Sequence, residues 1–376
     1  MLAISFLFAL VLSLTSCLKW FFPCKLIGFS RINKYVEIPG NDCMTVTIGI
    51  NGFGRIGRCT LAHIAESGRN DVQVVKLNAT GPLETNAHLL RYDSVHGRFS
   101  GNVAVNENSL DLGKGPIEVM SSYEPMELDW GGCDVVLECT GKFNDGKTSV
   151  VHIKQGAKTV LISAPAKNVD KTIVYGVNHR DLVPGDKIIS NGSCTTNCLA
   201  PMAKVLNASI GIERGIMTTI HSYTGDQPTL DRRHIDLYRA RAAAMAMVPT
   251  STGAAKALGD VLPELRGKLE GTAIRVPTPN VSAVDLTFEA GKDVTCEDVN
   301  EVVKEASEGS LGQILSYDPE QKVSIDFNHT AYSCIFAPDQ TKVVGKRTVR
   351  VLAWYDNEWG FSCRMADVAS SIGRLL

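Results

Sequence analysis

A cysteine among hydroxyl residues stands at a predicted strand-to-helix turn. Residues 191–198 read Asn-Gly-Ser-Cys-Thr-Thr-Asn-Cys, after an apolar strand-like run at 187–190 and before a helix-like run at 199–206. Cys194 is therefore placed among the first free N–H groups of a helix, where the dipole favours the nucleophilic thiolate. The alternative is a buried, inert cysteine. The hydroxyls of Ser193 and Thr195, which suit an anion beside the sulfur, make us favour a nucleophile.

A glycine-rich turn follows the first predicted strand, at residues 46–50, and precedes a predicted helix at 56–67. Its pattern is GxGxxG, formed by Gly52, Phe53, Gly54, Arg55, Ile56 and Gly57. In this position the glycines permit a tight turn, close approach of a pyrophosphate to the backbone, and packing of helix on strand. A glycine-rich turn without a ligand is the alternative. The context favours dinucleotide binding.

The acid that usually completes this fingerprint is missing. An Asp or Glu about 20 residues further on normally binds the ribose 2′-hydroxyl. Here residues 76–81 read Lys-Leu-Asn-Ala-Thr-Gly, and the first acid beyond them is Glu84. Because no carboxylate repels or blocks a 2′-phosphate, the sequence favours NADP, or tolerance of both cofactors. The alternative is that Asn78 and Thr80 replace the acid as hydrogen-bond partners.

The order of predicted elements indicates an α/β fold with two regions. Strands and helices alternate in the first region, which is typical of a doubly wound parallel sheet, with further strands at 72–77, 134–139 and 158–162. The second region has longer strands that predict an α+β domain, at 215–222, 272–276, 282–288 and 349–355. A last helix is predicted at 361–376.

Composition limits the function further. The chain has 376 residues, enough for about two domains, and 44% of them are hydrophobic. The net charge of −2 gives no reason to expect nucleic acid as a partner. Eleven cysteines, an odd number without framework spacing, indicate reduced thiols. The pairs Cys133/Cys139 and Cys194/Cys198 lack CxxC spacing and a nearby histidine, so we expect no metal site.

The first 43 residues do not fit the globular pattern. Residues 2–14 are apolar and are followed by Leu14-Thr15-Ser16-Cys17, which resembles a secretory or lipoprotein signal without its positive segment. This apolar stretch is shorter than the about 20 residues that a transmembrane helix needs to cross a bilayer. We favour an upstream extension, such as a start codon assigned too early. A genuine targeting or anchoring segment is the alternative.

Six ordered motifs in residues 44–376 resemble the phosphorylating glyceraldehyde-3-phosphate dehydrogenase family. The matching segments are residues 49–57, 193–198, 221–227, 251–256, 275–280 and 354–360. The resemblance implies a Rossmann dinucleotide-binding domain at 44–193, a catalytic domain at 194–360, and a C-terminal helix at 361–376 that returns to the first domain. Residues 1–43 form the extension.

The resemblance also implies roles for individual residues. Cys194 resembles the nucleophile and His221 its base. The residues that resemble the substrate-phosphate site are Thr224, Asp226, Arg241 and Arg275. Those that resemble the site of the attacking inorganic phosphate are Ser193, Thr195, Thr252 and Gly253. Hydroxyls, backbone N–H groups and arginine forks are suited to both anions.

The cofactor site implied by the resemblance has two departures from the NAD-dependent pattern. Arg55 and Ile56 match the pyrophosphate loop and Asn357 the residue that binds the nicotinamide carboxamide; Thr140, Gly141 and Ser163 complete the expected set. Ala79 replaces the ribose-binding Asp, and Arg232-Arg233 replaces a common Leu-Pro pair in a loop that reaches a neighbouring subunit's adenosine pocket. Both changes favour NADP, with NAD possible. The alternative is that the two arginines are solvated charges beside Asp231.

The implied function is oxidation of glyceraldehyde 3-phosphate with inorganic phosphate, in glycolysis or gluconeogenesis, by a cytoplasmic homotetramer without membrane contact. Two alternatives stay open. One is an erythrose-4-phosphate dehydrogenase, which hydrolyses its thioester and lacks the Ser-Thr-Gly-Ala-Ala-Lys stretch found here at 251–256. The other is a lipid-anchored surface binding protein that keeps an enzyme fold, a possibility supported by Cys17 and the apolar segment before it.

Overall fold

The computed structural model describes residues 45–376, so the predictions for residues 1–43 lie outside its described part. The first region alternates strands and helices as predicted. Its elements are β1 (Val46–Asn51), α1 (Arg55–Glu66), β2 (Val72–Asn78), α2 (Leu83–Arg91), β3 (Tyr92–Asp93), β4 (Gly97–Arg98), β5 (Ala104–Val105), β6 (Ser109–Asp111), β7 (Pro116–Met120), β8 (Val135–Glu138), α3 (Gly146–Lys154), β9 (Thr159–Ile162), β10 (Lys171–Thr172) and β11 (Ile188–Ser190).

These strands form a nine-stranded sheet in the order β10-β11-β9-β8-β1-β2-β7-β6-β5. The strands from β10 to β7 run parallel, β6 pairs antiparallel with β7, and β5 pairs antiparallel with β6. Chain order reverses between β1 and β8, which is the switch point of a doubly wound fold. A ligand crevice is expected outside the carboxyl ends of these two strands. The short strands β3 to β6 were not predicted, because two or three residues carry no readable alternation.

The second region is an α+β layer, also as predicted. Its elements are α4 (Cys194–Ser209), β12 (Ile212–Ser222), β13 (Val248–Ser251), α5 (Ala254–Val261), β14 (Leu269–Val276), β15 (Ser282–Ala290), α6 (Cys296–Glu308), β16 (Leu315–Tyr317), β17 (Cys334–Phe336), β18 (Lys342–Val344), β19 (Thr348–Tyr355) and α7 (Trp359–Gly373). The sheet order is β13-β14-β12-β15-β19-β17-β16, with β18 paired to β19. Helices α4, α5 and α6 share one buried core with the central strands of this sheet.

The last helix packs on the first region. Met365, Val368 and Ile372 of α7 lie in the same buried core as Ile48 and Ile50 of β1. The helix begins two residues earlier than predicted, at Trp359, because the carboxylate of Asp356 accepts hydrogen bonds from the N–H groups of Glu358 and Trp359 at 2.9 and 2.7 Å. Among residues 45–376, no helix is both long and apolar enough to span a bilayer.

A buried carboxylate lies beneath the crevice at the switch point. Glu138, at the end of β8, is 1% exposed. Its Oε2 accepts hydrogen bonds from Asn51 Nδ2 at 2.6 Å and from His152 Nε2 at 3.0 Å, while Oε1 accepts from the Thr140 N–H at 2.8 Å and from the Thr140 hydroxyl. Trp130 Nε1 donates to His152 Nδ1 at 3.0 Å, which leaves the His152 proton on Nε2, facing the carboxylate. Four donors therefore satisfy Glu138.

We expect Glu138→Gln to lower the free energy of unfolding by about 1–3 kcal/mol, because an amide nitrogen would face donors that need an acceptor. Denaturant midpoints measure the change. Glu118→Gln is the matched control, since Glu118 makes a long, exposed pair with Lys76 at 3.7 Å. Equal effects of the two substitutions would contradict the importance of the buried network.

Candidate active site

The cysteine predicted as the nucleophile faces a histidine. Cys194 is the first residue of α4, whose N-terminus is capped by Ser193: the Ser193 hydroxyl oxygen accepts from the Thr196 N–H at 3.0 Å. His221 lies near the end of β12, and its Nε2 is 3.4 Å from Cys194 Sγ. The structure therefore brings together the two residues predicted as nucleophile and base, although they are separated by a helix and most of a strand.

The hydrogen bonds of the ring determine its tautomer. His221 Nδ1 lies 2.7 Å from the Ser222 carbonyl oxygen and 3.1 Å from Arg275 NH1. Because the nearer carbonyl oxygen can only accept, we assign the proton to Nδ1, and Arg275 NH1 donates to the same oxygen at 2.9 Å. Nε2 then presents a lone pair toward the sulfur, and the thiol of Cys194 donates to it. This arrangement is the one that a general base needs, because the base can accept the thiol proton without a change of tautomer.

Burial works against charge on both groups. It lowers the pKa of His221 to about 3, and the positive charge of Arg275 acts in the same direction. Burial also raises the pKa of the Cys194 thiol, although Arg275 and hydrogen bonds from Thr195 lower it in part. Burial therefore opposes the bias toward the thiolate that is expected from the helix N-terminus, and the backbone hydrogen bonds there lower the pKa only in part. A neutral thiol and a neutral imidazole face each other, and the thiolate forms when the proton moves to Nε2.

A tyrosine that the sequence analysis did not assign completes this centre. The Tyr355 hydroxyl lies 2.8 Å from Thr195 Oγ1 and 2.9 Å from Thr219 Oγ1. Its ring meets the His221 ring edge-on, with centroids 5.9 Å apart. Tyr355 therefore holds the first turn of α4 against β12, which carries the histidine. Its position within the matched segment 354–360 is the signal that could have identified it.

A cluster of charged and hydroxyl groups lies beside His221. Arg275 donates from NH1 to the Ser222 carbonyl oxygen and to Thr224 Oγ1, each at 2.9 Å. The Thr224 hydroxyl donates to Asp226, whose other oxygen pairs with Arg239 at 2.9 Å. Arg275 Nε is buried without a partner among the described residues. Two guanidinium groups and a hydroxyl that converge next to the thiol form a site suited to an anionic group of a substrate.

The structure does not bring Arg241 into this cluster. Its Nε pairs with Asp231 at 2.8 Å on the exposed surface of the loop. The arginine that reaches Asp226 is Arg239, two residues earlier, which also donates from Nε to Thr250 Oγ1 at 3.0 Å. The sequence analysis missed Arg239 because two arginines separated by one alanine look equivalent in a loop without periodicity.

The four residues predicted for a second anion lie at two helix N-termini. Thr252 and Gly253 precede α5, and Thr252 Oγ1 accepts from the Ala254 N–H at 3.2 Å. No atom of the described residues lies within 4 Å of the place where a Gly253 Cβ would stand, so this end of α5 is open. Ser193 and Thr195 lie at the start of α4, which packs against α5. The free N–H groups of a helix N-terminus suit an anion.

The glycine-rich turn adopts the geometry that a pyrophosphate requires. Gly52 has φ +98°, a conformation that side chains other than glycine rarely adopt. A Cβ on Gly57 would lie 2.2 Å from the Gly52 carbonyl oxygen, whereas a Cβ on Gly54 would have nothing within 4 Å among the described residues. The open position is therefore Gly54, directly before the free N–H groups of Arg55, Ile56 and Gly57 at the start of α1.

This turn forms one wall of a cleft with a volume of about 330 Å³ at the switch point. Phe53, Thr80 and Thr140 line it, together with Tyr123 and Lys142 on the outer side. The Lys142 ammonium stands 5.5 Å from the centroid of the Tyr123 ring. The donor groups and the apolar walls fit a dinucleotide.

Two predicted cofactor residues use their side chains elsewhere. Asn78 Nδ2 donates to Asn51 Oδ1 at 2.8 Å and to the Ser122 carbonyl oxygen at 2.9 Å, and its Oδ1 accepts from the Ser122 N–H at 3.0 Å. In the alternative in which Asn78 and Thr80 replace the ribose-binding acid, the side chain of Asn78 is thus already engaged, whereas Thr80 lines the cleft. Arg55 pairs with Glu358 and Asp93, so its guanidinium is engaged and its backbone N–H is what faces the cleft.

The remaining predicted cofactor residues stand at the carboxyl edge of the first sheet, directly before α7, or in the loop between β12 and β13. Thr140 and Gly141 follow β8, Ser163 follows β9, and Ala79 is buried directly after β2. Asn357 Oδ1 accepts from the Ser282 hydroxyl at 2.9 Å, which orients its amide and leaves Nδ2 as the donor for a ligand. Arg232 and Arg233 are exposed in the loop between β12 and β13.

Comparisons with known proteins agree with these findings. The model of the glyceraldehyde 3-phosphate dehydrogenase NAD binding domain matches residues 46–146, and that of the C-terminal domain matches residues 193–357. Glyceraldehyde-3-phosphate dehydrogenase of Cereibacter sphaeroides is 59% identical over 333 residues, which cover 89% of this chain and all of the relative. The enzyme of the same name from Xanthobacter flavus is 58% identical over 334 residues, 88% of this chain and all of the relative. That from Geobacillus stearothermophilus is 52% identical over 332 residues, 88% of this chain and 98% of the relative.

We expect His221→Gln to slow alkylation of Cys194 by iodoacetamide at neutral pH and to move the pH profile upward. The reason is that burial already raises the pKa of the thiol, and the substitution removes the acceptor for its proton. The loss at fixed pH is roughly tenfold for each unit by which the profile moves. Mass analysis of the peptide that contains Cys194, after timed exposure across pH, measures it. His88→Gln, which removes an exposed histidine, is the control; an unchanged profile in His221→Gln would mean that the two groups are not coupled.

Proposed function

The chain belongs to the glyceraldehyde-3-phosphate dehydrogenase family, and on this premise we propose that it catalyses the phosphorylating oxidation of glyceraldehyde 3-phosphate, and the reverse reaction, through a thioester on Cys194. The observation that carries the proposal is the 3.4 Å contact between Cys194 Sγ and a His221 Nε2 that presents its lone pair. A site for anions adjoins this contact, and the glycine-rich cleft lies at the switch point of the neighbouring sheet.

The proposed chemistry begins with transfer of the thiol proton to His221 Nε2 as Sγ attacks the aldehyde carbon. Nε2 gives this proton to the oxygen of the thiohemiacetal as it forms and becomes neutral again. His221 Nε2 then removes that hydroxyl proton as the C–H bond breaks, and the carbonyl of a thioester forms. A nicotinamide held in the cleft would supply the hydride acceptor. Inorganic phosphate attacks the thioester carbon and the C–S bond breaks. The sulfur of Cys194 takes its proton back from His221 Nε2, and 1,3-bisphosphoglycerate and the proton of the attacking phosphate are released.

Two features support phosphate rather than water as the final nucleophile. The substrate's own phosphate would bind in the cluster of Thr224, Arg239 and Arg275, where Asp226 pairs with Arg239 and Thr224 accepts a hydrogen bond from Arg275. The open N-terminus of α5 at Thr252 and Gly253 then remains for the attacking phosphate. The alternative, an erythrose-4-phosphate dehydrogenase, uses water in this step and does not need the second anion site. We therefore favour the phosphorylating enzyme.

We propose NADP as the preferred cofactor, with NAD also accepted. Ala79 places no carboxylate at the end of β2, and the side chain of Asn78 is held by the protein. The alternative explanation for Arg232 and Arg233 was that they are solvated charges beside Asp231. The carboxylate of Asp231 instead pairs with Arg241 and accepts a hydrogen bond from the Ala242 N–H at 3.0 Å. This leaves Arg232 and Arg233 without an ion pair among the described residues, and thus with positive charge to offer to a 2′-phosphate.

A homotetramer agrees with the surface of the same loop. Ile235, Leu237 and Met245 are 100%, 82% and 80% exposed in the single chain. Large apolar side chains clustered in one segment mark an interaction site more often than scattered ones do. A second copy of the chain that covers this segment would also let Arg232 and Arg233 reach the adenosine end of a neighbour's cleft.

Initial rates on glyceraldehyde 3-phosphate test the reaction. We expect turnover to require inorganic phosphate, and Cys194→Ser to reduce it by roughly a thousandfold or more, because the covalent route is lost. Absorbance of the reduced nicotinamide measures the rate, and cofactor binding by Cys194→Ser serves as the control for folding. Slow turnover that is indifferent to phosphate would indicate the erythrose-4-phosphate enzyme, and no aldehyde oxidation with either cofactor would contradict the proposed function.

Cofactor preference has its own test. The double substitution Ala79→Asp and Arg233→Leu should lower the ratio of kcat/KM with NADP to kcat/KM with NAD by roughly 10- to 100-fold, since it adds a carboxylate near the ribose and removes a charged hydrogen bond. Arg214→Leu, which removes an exposed arginine paired with Glu289, is the matched control. An unchanged ratio in the double variant would rule out the role given to these two positions.

A further inference from the structure

A second cavity, of about 190 Å³, lies between α1, the segment after α2 and the start of α7. Leu90, Phe99 and Trp359 form its apolar walls, and Cys59, His96 and His329 contribute polar atoms. It shares no lining residue with the dinucleotide cleft. The proposed reaction therefore leaves the polar groups of this cavity without a role.

Two side chains that line this cavity, Cys59 and His96, and the neighbouring Glu358 offer the donor atoms of a metal site. Cys59 Sγ, a ring nitrogen of His96 and a carboxylate oxygen of Glu358 lie within 4.8 Å of one another. His96 Nε2 is 3.2 Å from Glu358 Oε2. Sulfur, imidazole and carboxylate together suit zinc and its neighbours, and three protein ligands leave a position for water, which the cavity can supply.

The surroundings of His96 match those of a metal-ligating histidine. When Nε2 is bound to a metal, Nδ1 carries the proton and needs an acceptor. His329 Nδ1 lies 3.3 Å from His96 Nδ1, and on its other side His329 Nε2 is 3.8 Å from the carboxylate of Glu66. The His329 ring is stacked on Trp359, with centroids 3.7 Å apart, which fixes its plane. An acceptor for the His96 proton is thus held in place.

Glu358 is also oriented before any ion binds. Arg55 donates from Nε to both oxygens of Glu358, at 2.9 and 3.1 Å, and Asp93 shares the charge of the same guanidinium. A metal on Oε2 would replace the proton that His96 now directs at this oxygen, beside the hydrogen bonds that Oε2 accepts from Arg55. The thiolate of Cys59 and the carboxylates of Glu358 and Asp93 would supply three negative charges to a doubly charged ion and the Arg55 guanidinium.

We propose that Cys59, His96 and Glu358 bind a divalent transition metal of the zinc class, with water from the cavity as the remaining ligand. The ion joins α1, the segment after α2 and the first turn of α7, so its binding stabilises the fold. The sequence analysis expected no metal because it examined cysteine pairs close in the chain. These ligands are far apart in sequence, and no spacing could reveal them.

Titration with Co²⁺ tests the site in the Cys194→Ser protein, where the catalytic thiol cannot contribute. We expect one equivalent of Co²⁺ to produce a thiolate-to-metal absorption band and to raise the unfolding temperature. The further substitution Cys59→Ser should abolish the band. Cys363→Ser should keep it, because that thiol is buried in the same cluster but faces His63 at 3.4 Å. His329→Gln should weaken binding by roughly 10- to 100-fold, as loss of an outer partner does elsewhere.

Two results would overturn the proposal. One is the absence of a thiolate-to-metal band in Cys194→Ser, and the other is a band of full intensity in the variant that also lacks the Cys59 thiol. Unfolding without metal checks each variant. If Cys59→Ser does not fold, His96→Gln takes its place, because the glutamine amide can still donate to Glu358 but cannot replace the imidazole as a strong ligand; retention of tight binding there would also contradict the site.

Discussion

The parallel strands of the first sheet all end along one edge, and the position of the candidate site depends on this constraint. The segments after β1, β8, β9 and β11 all leave the sheet on that side. They carry the glycine-rich turn, Thr140, Ser163 and Cys194, which the chain separates by up to about 140 residues. The second sheet adds His221 from the end of β12, held against α4 by Tyr355. A cofactor and a thiol can meet because two sheets present strand ends to the same place.

The free-energy cost of burying polar groups explains both the hydrogen bonds that stabilise this edge of the sheet and the chemistry proposed for Cys194. Glu138 is tolerated at β8 because four donors satisfy it, and those donors belong to residues beneath the cleft. The Cys194–His221 pair differs from Glu138, because burial favours the neutral form of both groups. Moving a proton from Sγ to Nε2 creates two opposite charges at short range in a site of low dielectric, where each stabilises the other. In the proposed reaction, the thiolate is thus formed by transfer of its proton to Nε2 and not by a low pKa of the thiol.

Sequence patterns predicted the parts of this arrangement that depend on local geometry. We could predict the glycine turn, the cysteine at the start of a helix and most strands, because a strand-to-helix turn constrains a few adjacent residues. The hydrogen-bond partners of side chains could not be predicted from these patterns. Asn78 looked free for a ribose, yet it is paired with Ser122 across two strands. Nothing in the sequence distinguishes Arg241 from Arg239 as a partner of Asp226. The backbone of this irregular loop directs Arg239 to Asp226 and Arg241 to Asp231.

One turn, residues 356–359, shows why the last helix must return to the first sheet. Asp356 accepts the hydrogen bonds that start α7, and Asn357 has its amide fixed by Ser282 of the second sheet. Glu358, the next residue, binds the guanidinium of Arg55 at the start of α1. The same turn thus orients the amide predicted for the nicotinamide and anchors the loop predicted for the pyrophosphate. Because the nicotinamide and the pyrophosphate are parts of one cofactor, a change that moves Glu358 would affect how both are held.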